Sequence, residues 1–175
     1  MVLQKSNGYR YLTLSSEMVD QVAQLLGRRP RGLEEVAVAG AAGTPVVIRV
    51  SSLVDDKPFP TLFWLIDPGL CYRIDQLEAA GLIMKFQHRI DADRELQRAM
   101  RQDHRAHITL RQESMQPEVR LRLEELGFSE ALTRRGIGGI ANFTRIRCLH
   151  TWYGAHLVVP NTVGSMLDDW WRQAP

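Results

Sequence analysis

Residues 33–66, LEEVAVAGAAGTPVVIRVSSLVDDKPFPTLFWLI, decide the fold class. Leu33–Ala39 and Val46–Val54 are rich in Val and Ile, and Gly40-Ala41-Ala42-Gly43-Thr44-Pro45 between them has the composition of a longer hairpin loop. Asp55-Asp56-Lys57-Pro58 marks a second turn, and Thr61–Ile66 reads as a third strand, too apolar for an exposed edge. An antiparallel sheet of about three strands follows. At Asp67 the pattern changes. Asp is a good N-cap, and Pro68 suits the first helical position, where its missing N–H costs nothing. This helix is predicted to run to Ala80 and to end at Gly81.

Working outward, Ser15–Leu26 reads as a helix capped by Ser15 or Ser16, with Met18, Val22, Leu25 and Leu26 on one face and Gly27 at its end. Downstream, Asp91–Gln112 is predicted as one long, densely charged helix with a thin stripe of Leu96, Ala99, Met100 and Leu110. Helices are also predicted over Pro117–Leu126, Asn142–Leu157 and Thr162–Arg172. Strands come first and helices dominate the C-terminal half, so the class is α+β. No repeat, low-complexity tract or linker divides residues 1–175, which read as a single domain.

The 175 residues carry 22 basic and 20 acidic side chains, with 24% charged and 45% hydrophobic residues, a balance that excludes wholesale disorder. Two cysteines far apart in the chain do not make a secreted disulfide scaffold. No window reaches the roughly 18 apolar residues of a membrane span, and Met1–Tyr11 lacks the apolar core of a signal peptide. A cytoplasmic protein without membrane or nucleic-acid partners is expected, since a formal charge of +2 does not call for a polyanion. Basic residues are skewed to 19 Arg against 3 Lys, which suits carboxylate or phosphate recognition but equally reflects a GC-rich genome.

Several clusters carry candidate chemistry. Arg28, Arg29 and Arg31 with Gly32 can clamp an anion in a rigid turn, or pair with Glu34, Glu35 or the Asp55-Asp56 turn. Arg134-Arg135-Gly136-Ile137-Gly138-Gly139 can present backbone amides to an anion, or serve as a tight turn for close packing; it is neither a dinucleotide fingerprint nor a P-loop. Cys148 and His150, with His156 further on, are a soft donor set for zinc or an iron–sulfur cluster. On a regular helix Cys148 and His156 stand about 12 Å apart, so a shared metal needs the helix to begin late or break near Cys148. Cys148 is alternatively a reactive thiol assisted by Arg145, Arg147 or His150. Cys71 sits one turn after Asp67, where a helix N-terminus lowers a thiol pKa, or it packs in the core beside Leu70 and Ile74. His104 and His107 read mainly as part of a solvated helix face. Val163, Met166, Leu167, Trp170 and Trp171 form a stripe for docking or for self-association.

Gly27-Arg28-Arg29-Pro30-Arg31-Gly32-Leu33, Lys57–Leu65, Leu77–Gly81, Gly136–Phe143 and Cys148-Leu149-His150 together resemble a bacterial family known as domain of unknown function 501, over about residues 25–170. The resemblance implies no activity or cofactor. It points to the Arg-Pro-Arg-Gly turn, the Gly-Ile-Gly-Gly loop and Cys-Leu-His as shared features. Family members often carry Cys where this chain has Asp67, and His where it has Trp152. For a family metal or thiol centre, this implies that Asp67 itself ligates or that Cys71 replaces the lost sulfur.

The leading expectation is a site for an anionic small molecule bearing phosphate or carboxylate. In it Arg28, Arg29, Arg31 and Arg135 hold charge, Gly136, Gly138 and Gly139 form a cradle, and Cys148 or His150 does any nucleophilic or proton-transfer work. The first alternative is a metal or iron–sulfur protein using Cys71, Cys148 and His150, with Asp67 and His156 as further donors. The second is a nucleic-acid binder or a scaffold that self-associates through the Trp-rich C-terminal helix.

Overall fold

The structure, a computed structural model, describes residues 14–173, so the reading of Met1–Tyr11 lies outside the described residues. Helix α1 (Ser16–Leu26) starts where the Ser15 hydroxyl accepts the Met18 N–H, and it stops at Gly27. Strands β1 (Leu33–Ala39) and β2 (Pro45–Val50) form the expected hairpin. The segment read as one strand over Val46–Val54 breaks after Val50. There the Ser51 N–H donates to the Gly32 carbonyl, and the Ser52 carbonyl accepts from Phe59. The chain turns off into a separate ribbon of β3 (Leu53–Val54) and β4 (Lys57–Pro58), closed by Asp55 and Asp56, both at positive φ. Aspartate tolerates that left-handed conformation. The third sheet strand, β5, is confined to Phe63–Leu65 and pairs with the other edge of β2, giving the order β1-β2-β5, antiparallel throughout.

Eight α-helices are present among the described residues. After α1 come α2 (Pro68–Ala79), α3 (Leu82–Ala92), α4 (Arg94–Ser114), α5 (Pro117–Glu125), α6 (Ser129–Thr133), α7 (Leu149–Val158) and α8 (Thr162–Gln173). The class is α+β with helices dominant. None of the helices is long and apolar enough to cross a membrane.

Alternation along the strands divides the sheet into two faces. Ile48, Val50 and Trp64 pack with Val22 of α1 and Ile66. Val47, Phe63 and Leu65 join the main core with Ile74, Ile90, Met100, Leu149 and the wholly buried Trp152. Helix α7 lies directly on β5: a Cβ at Gly154 would stand 3.0 Å from the Leu65 backbone nitrogen. Arg49, buried on β2, donates to Glu34 and Glu35 and to the Ser114 carbonyl at the end of α4, at 2.6–3.0 Å.

Three expectations are corrected here. The helix predicted over Asp91–Gln112 is broken at Asp93, whose extended backbone and carboxylate cap α4 by accepting from Glu95 and Leu96. The preceding Leu82–Ala92 is a helix of its own. The helix predicted over Asn142–Leu157 begins only at Leu149. Between residues 142 and 149 side chains take the backbone groups that a helical ladder would use. The Asn142 side chain accepts from Thr144, and the Gln87 amide spans the Thr144 carbonyl and the Ile146 N–H. Finally, His104 and His107 do not lie on a solvated face. They are 0% and 7% exposed and continue the Met100 stripe of α4 into the core. His104 stacks on Phe143 and meets Trp152 edge-on.

Burial holds His104 down at about 4. It holds His107 at about 3, helped by Arg111 and His104. In the unfolded chain both protonate near 6.5, so as pH falls the unfolded state takes up protons first. Stability present above pH 6.5 is therefore lost below it, by about 3 kcal/mol for the pair between pH 6.5 and 5. Urea unfolding at pH 7 and pH 5 is expected to show this loss, and His107→Gln to show about half of it. An unchanged loss in that variant would assign the pH dependence to other groups.

Candidate functional site

Capped by Asp67 through the Leu70 N–H at 2.7 Å, α2 carries Cys71, Asp75 and Glu78 at i, i+4 and i+7 on one face. Against this face stands the start of α7. Cys148 occupies the N-cap but makes no side-chain cap. That service comes from Glu78, whose Oε1 accepts the Leu149 N–H at 2.5 Å. His150, in the first turn, then reaches back to Cys148. Its Nδ1 lies 3.6 Å from the Cys148 Sγ and 3.4 Å from the Glu78 Oε1. Its Nε2 lies 3.2 Å from the Cys71 carbonyl and 3.3 Å from the Asp75 Oδ1. One ligand atom from each of Glu78, Cys148 and His150 falls within 4.8 Å of the others. The imidazole is 22% exposed and the Glu78 side chain 25%, so the cluster is half-buried and open to solvent.

The two ring nitrogens face different chemistry. Nε2 has only acceptors beside it and carries a hydrogen. Nδ1 faces a sulfur and a carboxylate oxygen, both electron-rich, so a proton or a metal ion must stand between them. The nearby Cys148 sulfur raises His150 to about 9, with Glu78 and the Cys71 carbonyl adding and burial opposing. Cys71 departs from its expectation as a helix-start thiol of lowered pKa. Burial first, then the Asp75 and Asp67 carboxylates, push it up. Its Sγ turns to the Leu65 carbonyl at 3.6 Å, and only its own carbonyl reaches the cluster.

The remaining candidates lie elsewhere. Asp67 is engaged as a cap. His156 belongs to the α7–α8 junction: its Nε2 meets Asp168 at 3.0 Å, and its Nδ1 accepts the Asn161 N–H. Arg28 lies over Trp64 on the α1 face of the sheet, and Arg31 pairs with Asp55. The glycine loop packs on helices of the opposite face. Gly136 abuts His104 of α4, and Gly138, at φ +64°, abuts Thr151 of α7. Gly139, at φ +70°, abuts Pro60, and Arg28 and Arg31 are engaged with Trp64 and Asp55 rather than with the loop.

Three of the loop's amides are already engaged. Those of Gly136 and Gly139 donate to the Ile140 and Gly136 carbonyls, and that of Ile137 donates to the His104 Nδ1. The Arg135 carbonyl is held by Arg111. Close packing, the alternative reading, accounts for the glycines. On α8, Trp170 and Trp171 pack on Phe86 and Tyr153, with Lys85 and Arg73 over their rings, so the chain itself uses the stripe considered for self-association.

Glu78 and Asp75 escaped the sequence reading. The available signal was their position one and two turns beyond Cys71 on a helix already predicted there.

A family model described as "Protein of unknown function (DUF501)" matches residues 36–169. That span includes Cys71, Glu78, Cys148 and His150, and it begins after the Arg28–Gly32 turn. No curated protein and no solved structure matches the chain.

The packing role of the loop is testable at Gly136, where a Cβ would stand 2.1 Å from the His104 Nδ1. The ring is fully buried and holds the Ile137 N–H, so it has nowhere to retreat. Gly136→Ala is expected to lower unfolding stability by about 2–3 kcal/mol in urea titrations. Wild-type stability in the variant would contradict the packing.

Proposed function

The chain belongs to the DUF501 family of proteins of unknown function, and from that premise we propose that it is a metal-binding protein. The ligands are Glu78, Cys148 and His150, the ion is Zn(II), and the fourth position is open. The observation that carries the reading is the spacing of the donors. With Zn–S of about 2.3 Å and Zn–N and Zn–O of about 2.05 Å, a tetrahedral centre has an S···N edge of about 3.6 Å and an N···O edge of about 3.4 Å. The Cys148 Sγ and Glu78 Oε1 stand 3.6 and 3.4 Å from the His150 Nδ1.

The surroundings support the same reading. A metal-bound imidazole usually donates its other N–H to a carbonyl or carboxylate, which fixes ring and tautomer. Here the Cys71 carbonyl and Asp75 receive it. Thiolate, imidazole and carboxylate together are a zinc donor set, and three protein ligands leave one position for water or a substrate atom. Such an ion supplies a Lewis acid or an activated water. Without the ion, Cys148 beside an imidazole that Asp75 and the Cys71 carbonyl orient is the arrangement of an activated cysteine. In this second reading Cys148 is the nucleophile, and Asp75 orients the imidazole as it would in the first.

The metal reading predicts close to one equivalent of zinc in protein purified without chelators. Cobalt substitution is expected to give a thiolate-to-cobalt charge-transfer band. Cys148→Ser and His150→Ala abolish both signals, and Cys71→Ser keeps them. Asp75→Asn weakens affinity by about 10- to 100-fold in chelator competition. Absence of stoichiometric metal together with no cobalt band would overturn the reading. Alkylation of Cys148 by iodoacetamide, with a pH profile that disappears in His150→Ala, would then support the nucleophile.

A further inference from the structure

At the far end of α7 from this cluster, a cavity of about 340 Å³ opens between α4 and the α7–α8 junction. That volume lies within the range of small-molecule sites, about 300–1,000 Å³. Its floor is apolar, formed by Phe63, Ile137 and Ala155. We propose that this cavity binds a small organic amine, with a ring-sized apolar body against the floor and an ammonium group toward the α4 carboxylates.

The sign of the charge follows from what surrounds the space. Asp103, His107 and Glu113 line it along one stripe of α4, and no Lys or Arg does. Asp103 spends Oδ2 on the Thr162 N–H at 2.8 Å, and its Oδ1 has no partner among the described residues. Val159, Pro160 and Asn161 form the rim just beyond the C-terminus of α7, the negative end of that helix dipole. His107 is too deeply buried to carry a positive charge near neutral pH. Two carboxylates and the α7 C-terminus, set against an α8 N-terminus that Asp103 already caps and a buried Arg111 that donates to main-chain carbonyls, favour a cation over an anion.

Cys148 and Val159 are 11 residues apart, about 16 Å along a helix. The cavity and the metal cluster therefore fail or succeed independently. The probes are benzylamine and phenylacetate, a matched pair differing in head-group charge, read by NMR of the His107 ring and the Ala155 methyl. Benzylamine is expected to give saturable shifts in both reporters, with phenylacetate at least about fivefold weaker. Asp103→Asn with Glu113→Gln, which keeps the Thr162 contact, is expected to weaken benzylamine about fivefold. Ala106→Trp, at an exposed lining position, is expected to abolish binding while thermal unfolding confirms that the variant folds. Overturning results are non-saturable shifts, equal binding of phenylacetate, or benzylamine shifts that survive Ala106→Trp. Should that variant not fold, the carboxylate variant decides alone.

Discussion

Arg111 holds a buried positive charge that no carboxylate among the described residues meets. Its guanidinium, 1% exposed, donates to three main-chain carbonyls: Pro60 at 2.6 Å, Leu132 at 2.7 Å, and Arg135. Burial lowers its pKa to about 10, which leaves it charged at neutral pH. A buried ion is tolerated only when its donors are satisfied. Here the satisfaction comes from the approach to β5, the end of α6 and the entry to the glycine loop, which Arg111 gathers at one point. Once Arg135 is fixed, Gly136 is pressed on His104 and Gly138 on Thr151, and the start of α7 has its place. Arg49 braces the C-terminal end of α4, three residues beyond Arg111, through the Ser114 carbonyl. The start of α7, and Cys148 with it, is positioned from α4 through the glycine loop.

Local signals in the chain translated well where the structure is decided locally. Asp67-Pro68 and Gly81 bound α2 as expected, and Ser15 and Gly27 bound α1, because caps act within one turn. The hairpin and the three-stranded sheet were legible from β-branched runs. Asp93 was not, because a charged residue between charged residues interrupts no period. Its capping bonds follow from the turn of the chain between α3 and α4. The region before Leu149 was misread for a different reason. Its backbone is satisfied by Gln87 and Glu78, 59 and 71 residues away in the chain. Propensity in a window carries no trace of such partners.

The candidate site was half legible for the same reason. Cys148 and His150 stand two residues apart and were paired from sequence. Their geometry depends on a helix that starts at Leu149, the condition under which a late-starting helix can gather these donors. Glu78 performs two tasks at once, as the N-terminal cap of α7 and as the third donor. A carboxylate that serves a helix belonging to another segment looks, in the sequence, like any other surface acid. His104 and His107 mislead in the opposite direction: polar residues on a charged helix, they are core residues because Phe143, Trp152 and Phe63 cover them.

Helix α7 orders both sites by charge. Its N-terminus, the positive end of the dipole, receives the Cys148 sulfur and the Glu78 carboxylate. Its C-terminus, the negative end, borders the cavity whose wall carries Asp103 and Glu113. Between them the helix is packed with Leu149, Trp152, Tyr153 and Ala155 in the core, and Gly154 lies against the Leu65 backbone. Water is excluded along that length, so the dipole is screened less than on a surface helix. An anionic donor set at the first end and a cation-accepting cavity at the second are what such a helix favours energetically. Ordering by sign puts the sulfur and the carboxylate at the end of α7 that attracts electron-rich groups. At the far end of the same helix, His156 has both ring nitrogens bound by Asp168 and Asn161 and is left no part in the cluster.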